Sequence, residues 1–552
     1  MKKKYLFLLF ICPLLIHAQD ILWEKTYGGI HADYLFDAQP TADYGFILAG
    51  SSLSNKTGNK EENNNGDLDY WIWKMNETGE LDWQKSFGGS GFDLLQSIKN
   101  TRDGGFILAG TSNSTNDFQK KDPCKGGTDF WVIKLNATGA EQWQRTIGGS
   151  GQDELLCAFK TIDGGYMLGG SSSSSPEITE DLIAIKSSLD KPDGYRKSEK
   201  SYGNMDYWIV KLDKHGVIEW QKTYGGEYAD ILKSMEQTKD GGYILGGYSN
   251  SPESGNKTES QKGIGDYWIL KISNTGTIEW QKTYGGNGDN QLYVIHQTED
   301  DGYIVGGNSN STSPLTSLGG IVSNGTDYWV LKLDNKGDVL WSKTYDFGPK
   351  DILTSLIENE DKTYLVGGYS QGVDSPREGV IGKVANAVKK NKKEDGYIAL
   401  KIDEVGEKIW KKTVASNGED VLQKLFETRD GGYLFAGTSK SGTSKNKSSS
   451  IGGNDFWVVK LKDKSKPDKI KRKSIEAIPN PVVTYTNIII GYEYEKGTAT
   501  VVDMAGRILQ QFNISEQTIP VDLSYYAEGI YIVNIKTNVQ SDGIKVIRRG
   551  KN

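Results

Sequence analysis

Cysteine is almost missing from this chain, with three in 552 residues. Once the N-terminal leader described below is set aside, only Cys124 and Cys157 remain, too few for a disulfide framework or a cysteine-based zinc site. Histidine is nearly as scarce, at four, and His31, His215 and His296 fall in different repeats, so no local spacing joins them as metal ligands. A Gly-x-Ser-x-Gly elbow is absent, which leaves nucleophilic hydrolysis without sequence support. The one long apolar run, Tyr5 to Ile16, is short of the roughly 18 residues that a membrane-spanning helix needs. Excess positive charge is lacking too: 65 basic against 72 acidic residues gives a net charge of −7, with no basic stripe of the kind that marks a nucleic-acid partner. Apolar residues at helical spacing are not found in the body of the chain.

What the chain does have begins with a leader. Lys2, Lys3 and Lys4, the apolar run and Ala18 before Gln19 read as a secretory signal over residues 1–19. The mature chain then starts at Gln19 or Asp20 and enters an oxidising compartment.

Glycine and tryptophan are both abundant, at 67 and 14 residues, where glycine averages about 7% of protein residues. They recur together. A strand-like segment carries a tryptophan at Trp23, Trp83, Trp143, Trp220, Trp280, Trp341 and Trp410, and a second anchor follows an aspartate at Trp71, Trp131, Trp208, Trp268, Trp329 and Trp457, with Tyr397 read as its sixth-copy counterpart. Between them run Gly-Gly turns, a Thr-x-Asp-Gly-Gly turn and a loop rich in Ser and Asn. Each copy therefore holds four short strands. Asp206 to Leu212 is apolar on both faces, as a covered strand should be, whereas Val217 to Tyr224 alternates like a strand with one wet face.

Seven such units without helices predict an all-β chain, a seven-bladed β-propeller over residues 20–461. The array begins in an outermost strand and ends one strand short, so the N-terminal strand is expected to complete the last blade and remove two open edges. Residues 462–477 form a basic linker, and 478–552 a small β-sandwich.

Lys211-Leu-Asp-Lys-His-Gly-Val-Ile-Glu-Trp220 and its counterparts at Lys134 and Lys332 resemble the propeller repeats of quinoprotein dehydrogenases and related non-enzymatic propellers. About ten residues per blade carry that resemblance, which implies the blade but not the redox chemistry, and no cofactor is expected. The C-terminal segment resembles the type A C-terminal sorting domain of the type IX secretion system of Bacteroidota. The matching residues are Pro479, Asn480 and Pro481, then Asp503, Gly506 and Arg507, then Gly529 and Tyr531, ahead of a basic final strand from Lys545. That resemblance implies export guided by this domain, the type IX machinery as a partner, and release or display at the outer-membrane surface.

Candidate ligand residues are repeated acids. Asp33, Asp93, Asp153, Asp230, Asp351 and Asp420, with Asn290 in the fifth copy, follow the outer strands and could ring the channel mouth to attract a cation or polar ligand. The alternative is that each carboxylate binds the backbone of its own Gly-Gly turn. Asp69, Asp129, Asp206, Asp266, Asp327, Asp395 and Asp455 read as turn residues. Glu61 to Asp69 superficially follows a calcium loop, but Ile72 stands where the closing glutamate belongs, and no metal site is assigned. The expected function is non-catalytic binding of a surface protein or glycan through the variable loops at 171–204 and 370–394. A polysaccharide-degrading enzyme, hydrolase or lyase, and a structural surface-layer component are the alternatives.

Overall fold

The computed structural model describes residues 20–176, 195–312, 325–372, 396–444, 446–463, 474–492 and 494–550. The leader, most of the basic linker, Asp395 and the greater part of the two variable loops lie outside them. Every described element is a β-strand or a turn, and all described strand pairs are antiparallel.

The first blade shows how the repeat folds. Its inner strand, Asp33–Pro40, is followed outward by Phe46–Ser52, Asp69–Met75 and Leu81–Phe87. The second and third strands are buried throughout, while the outer strand alternates between covered and half-exposed positions, as its alternating sequence requires. Five further blades repeat this order, and the seventh is made of Glu419–Glu427, Tyr433–Lys440 and Asp455–Lys462 with Asp20–Tyr27 as its outer strand. Asp20 pairs with Lys462 and Tyr27 with Phe456, so the N-terminal strand closes the ring.

Each signature residue has a packing task. The third-strand tryptophans Trp71, Trp131, Trp208, Trp268, Trp329 and Trp457 are fully buried, and the indole N–H of Trp71 donates to Gln84 at 3.1 Å. The outer-strand tryptophan reaches sideways. Trp83 packs edge-on against Phe106 of the next blade, 5.8 Å between ring centres, and lies under Gly139, where an added Cβ would meet its ring at 2.9 Å. Gly139 also sits at φ 79°, a left-handed conformation shared by Gly79, Gly216, Gly276, Gly337 and Gly406, so backbone and neighbour both call for glycine in this turn. Across blades, Tyr70 donates its hydroxyl to the Trp131 carbonyl at 3.0 Å, and the same ring fills the space where Gly110 lacks a side chain. The second glycine of each strand pair is thus set by the neighbouring blade's aromatic ring and the inner-strand carbonyl, while the first, as at Gly246, meets inner-strand side chains of the next blade, here Leu292.

On the short-turn face, a third-strand lysine pairs in every blade with the aspartate of the Thr-x-Asp turn, Asn359-Glu360-Asp361 in the sixth, from Lys74–Asp43 at 2.9 Å to Lys460–Asp430 at 2.7 Å.

The sixth copy corrects the expected alignment. Tyr397 pairs with Tyr369 as Tyr70 pairs with Ser51, so it occupies the tyrosine position, and Ile398 stands in the tryptophan's place. Gly396 occupies the position of the aspartate that precedes each third strand.

The C-terminal unit is a sandwich of a three-stranded and a four-stranded sheet, beginning at Ile475–Ile478 and closed around Ile488, Val501, Val521, Val533 and Val546.

Candidate functional site

The repeated acids come together at the blade interfaces on the long-loop face. Asp33, Asp93, Asp153, Asp230, Asn290 and Asp351 have no exposed surface and Asp420 almost none. Each carboxylate is folded back onto its own turn. The Gly29 N–H and the Ser54 hydroxyl donate to Asp33 Oδ2 at 2.7 and 3.2 Å, and Gly89 and Ser114, Gly149 and Ser174, and Gly226 and Ser251 repeat the arrangement at Asp93, Asp153 and Asp230. Phe347 and Gly348 do so at Asp351, and Ser416 at Asp420. The third-strand acids are equally buried; Asn65 N–H donates to Asp69 at 2.7 Å and Lys125 N–H to Asp129 at 2.5 Å.

These two sets face one another across the blade interfaces, except where Gly396 takes the aspartate's place in the sixth blade. An added Cβ on Gly148 would meet Asp129 Oδ1 at 2.0 Å and Asp153 Oδ2 at 2.8 Å, which places both carboxylates on one glycine. A loop lysine sits behind each acid set in five blades. Lys60, Lys120, Lys197, Lys257 and Lys447 are at most 3% exposed, and each is held by nearby oxygens, as Lys60 Nζ is by the Ser54 carbonyl at 2.8 Å. Burial lowers these lysines, Lys197 to about 8, and the charges of Asp153 and Asp206 partly offset the shift. The acids respond in the opposite sense: burial raises Asp69 to about 7 and Asp129 and Asp230 to about 6, with the facing carboxylate adding to the rise. Oδ1 of Asp33, Asp69, Asp93, Asp129, Asp153, Asp206 and Asp230 has no hydrogen-bond partner. One interface replaces an acid by an amide, and there Asn290 Nδ2 donates to Asp266 Oδ1 at 3.1 Å.

The pattern breaks between blades five and six. Asp346 stands where five of the other turns have glycine and the sixth has Ala415, and one carboxylate oxygen each from Asp327, Asp346 and Asp351 lie within 4.8 Å of one another. Asp346 is exposed while the other two are buried.

Nearer the axis, the inner strands carry a second charged group. Asp37, 1% exposed, accepts from Lys99 at 2.6 Å, and Lys424 lies at 3.7 Å. Burial pushes the Asp37 carboxyl up, but the two ammonium groups outweigh it and the net shift is downward. Burial also raises the thiols of Cys124 and Cys157 to about 11 and about 12, so both are protonated, and they are not joined. His296 Nδ1 lies 2.8 Å from Glu236 on the adjacent inner strand; His31 and His215 belong to other blades. Among the described residues the histidines and cysteines therefore form no activated nucleophile.

In the C-terminal unit, Asn480 links to the last strand in both directions: its Nδ2 donates to the Lys545 carbonyl at 2.7 Å and its Oδ1 accepts from Ile547 N–H at 2.9 Å. Pro479 and Pro481 flank it in cis peptide bonds. Asp503 caps its turn through the Ala505 and Arg507 N–H groups and pairs with the Arg507 guanidinium at 3.0 Å, with Gly506 at φ 79°. Tyr531 is buried in the sandwich and donates to the Ala527 carbonyl, two residues before Gly529 opens its strand.

Residues 476–549 match the family model described as a secretion system C-terminal sorting domain. None of the curated protein sequences matches the chain. Similar solved structures include Sqt1 from Chaetomium thermophilum, 9% identical over 81% of this chain and 100% of that one with a TM-score of 0.39. The Pan2 WD40 domain of Neurospora crassa is 10% identical over 82% and 100%, with a TM-score of 0.40. PorZ of Porphyromonas gingivalis, a surface component of the type IX secretion system, is 11% identical over 93% and 81%, with a TM-score of 0.21. The strand order establishes the propeller without them. The sorting domain marks the chain for export by the type IX system to the cell surface or the medium. Among the described residues no helix is long and apolar enough to cross a membrane.

Proposed function

We propose that this chain is a non-catalytic binding propeller that engages a protein or glycan outside the cell through its long-loop face. One observation supports this reading above the rest: the repeated acids, which would be the natural source of paired carboxylates for glycoside cleavage, are buried in their own turns at the blade interfaces. What is left for recognition is a rigid ring carrying loops of unequal length and composition, the usual arrangement for a binding surface. Export places that surface where extracellular polymers and envelope proteins are found. The full chain, labelled and applied to arrays of polysaccharides and purified envelope proteins, should show saturable binding to one class with no change in that ligand. Release of reducing ends or unsaturated sugars from any arrayed polysaccharide, in the absence of saturable binding, would overturn the proposal.

A further inference from the structure

One outer face of the C-terminal sandwich is covered from outside. Side chains alternate along Tyr485–Ile490. Ile488 and Ile490 belong to the sandwich core, whereas Tyr485 and Ile489 lie outside that core and are still only 7% exposed. Their cover is the short-turn face of blades one and two. A Cβ added at Gly104, in the turn of blade two, would meet Pro479 Cδ at 3.3 Å and the Tyr485 hydroxyl at 3.5 Å, and that hydroxyl also lies against the Ala137 backbone. In the matching turn of blade one, Tyr44 presents its hydroxyl to both carboxylate oxygens of Glu476 at 3.5 Å.

Tyr44 departs from the repeat. Gly104, Gly164, Gly241 and Gly431 hold its position in four copies, and Asp301 and Lys362 in two, with φ between 62° and 93°. A left-handed backbone disfavours an aromatic side chain, yet blade one places a tyrosine there at φ 67°. The Arg429 guanidinium of blade seven lies 3.9 Å over the centre of its ring and braces it. A strained residue whose hydroxyl faces a second unit marks an interface.

The two surfaces do not close tightly. A cavity of about 920 Å³ lies between them, lined by Tyr44, Thr78 and Trp83 on one side and by Glu476, Ile489 and Thr518 on the other, whereas a well-matched interface packs like a protein interior. Like charges also meet: burial raises the Asp82 carboxyl, Lys74 opposes, and the charges of Asp43 and of Glu516 in the sorting domain add to the rise. A contact this loosely packed is weak between separate molecules. Here residues 464–473 join the two surfaces in one chain, so their association is intramolecular, at an effective concentration of roughly millimolar.

We propose that the short-turn face of blades one and two is a seat for the sorting domain, which stays docked while the two are joined and leaves when the connection is cut. Docked in this way, the domain still presents Met504 and Ile508, 68% and 59% exposed, to solvent. The seat is on the face opposite the long loops and does not depend on what those loops bind.

Hydroxyl-radical footprinting read by mass spectrometry tests this on the full chain in dilute solution. Tyr485 and Ile489 should be oxidised slowly while the chain is intact. Cutting a specific-protease site placed within residues 464–473 should speed both by at least about fivefold, because the tether no longer holds the domain in place. Tyr44→Gly, which restores the commonest residue of the turn, should fold as well as the parent and open the seat without a cut. Glu516→Lys, which sets an opposite charge beside Asp82, should restore slow oxidation to Tyr44→Gly at low ionic strength. Fast oxidation of Tyr485 and Ile489 in the intact chain would overturn the seat. So would slow oxidation that persists after the cut while the two fragments elute separately on gel filtration, since both residues would then be covered by the sandwich itself. Fragments that remain together after the cut would overturn the dependence on the tether.

Discussion

A single glycine shows how closely the blades are matched. At Gly285 an added Cβ would lie 1.6 Å from Asp266 Oδ1, and the equivalent distances at Gly225, Gly148 and Gly88 are 1.9, 2.0 and 2.0 Å. The glycine is there because a buried carboxylate occupies its side-chain volume. The sixth copy carries the complementary pair, Gly396 in place of the aspartate and Ala415 in place of the glycine, so a methyl from the turn fills space that the carboxylate takes elsewhere. Gly285→Ala should therefore cost about 1–3 kcal/mol of stability by overpacking, and adding Asp266→Gly should recover part of it. Urea unfolding of both single variants and the double variant measures the coupling; additive losses would mean that the two positions do not share this space. The recurrence of Gly-Gly and of the aspartates was legible in the sequence, but their mutual contact was not, since the partners are 19 residues apart and meet only once the sheet is formed.

At the scale of the strand, the repeated Asp-aromatic-Trp segment could be read as a covered strand from its apolar pattern, and ring closure from where the repeat is cut. The reading failed in the sixth copy for a physical reason: Gly396-Tyr397-Ile398 keeps the tyrosine and loses the tryptophan, so aligning on the largest aromatic shifts the register by one residue. The structure shows a further consequence. The residue after the outer tryptophan accepts the buried indole N–H in blades one to four, as Gln84, Gln144, Gln221 and Gln281. In blade six, where Ile398 has no side-chain N–H to satisfy, that position is Lys411. The closing strand keeps the acceptor as Glu24, which takes the Trp457 N–H at 3.0 Å and also the Ser448 N–H at 2.9 Å. Glu24→Gln should consequently be tolerated, whereas Glu24→Leu should strand a buried donor, cost about 1–3 kcal/mol, and loosen the N-terminal strand. Limited proteolysis with mass mapping would report this as faster cleavage near residues 20–27 in the leucine variant alone; equal cleavage rates in the two variants would remove Glu24 from the closure.

Across the whole ring, the interface acids set how stability follows pH. Asp69, Asp129 and Asp230 titrate at about 7, 6 and 6, above the ordinary aspartate value of 3.8, chiefly because they are buried. The folded chain then holds more protons than the unfolded chain between about pH 4 and 7, so the stability these groups contribute is complete below 3.8 and is lost as pH rises through 6 to 7. On the opposite face, the turn acids run the other way. Asp163 and Asp361 sit at about 2, where burial opposes but their bonds to Lys211 and Lys401 and to neighbouring threonines prevail, and their contribution is lost as pH falls below 3.8. Lys197, at about 8, acts only above this window. The two faces together place the most stable pH near 4–5, with the thermal midpoint falling steadily toward pH 7.5. Asn290 already shows the remedy used at one interface, where an uncharged amide replaces one of the two carboxylates and donates to the other. Asp69→Asn should reproduce it, raising the midpoint at pH 7.5 and flattening the decline while changing little at pH 4.5. A decline just as steep in the variant would show that the Asp69 and Asp93 pair does not hold a proton in the folded ring.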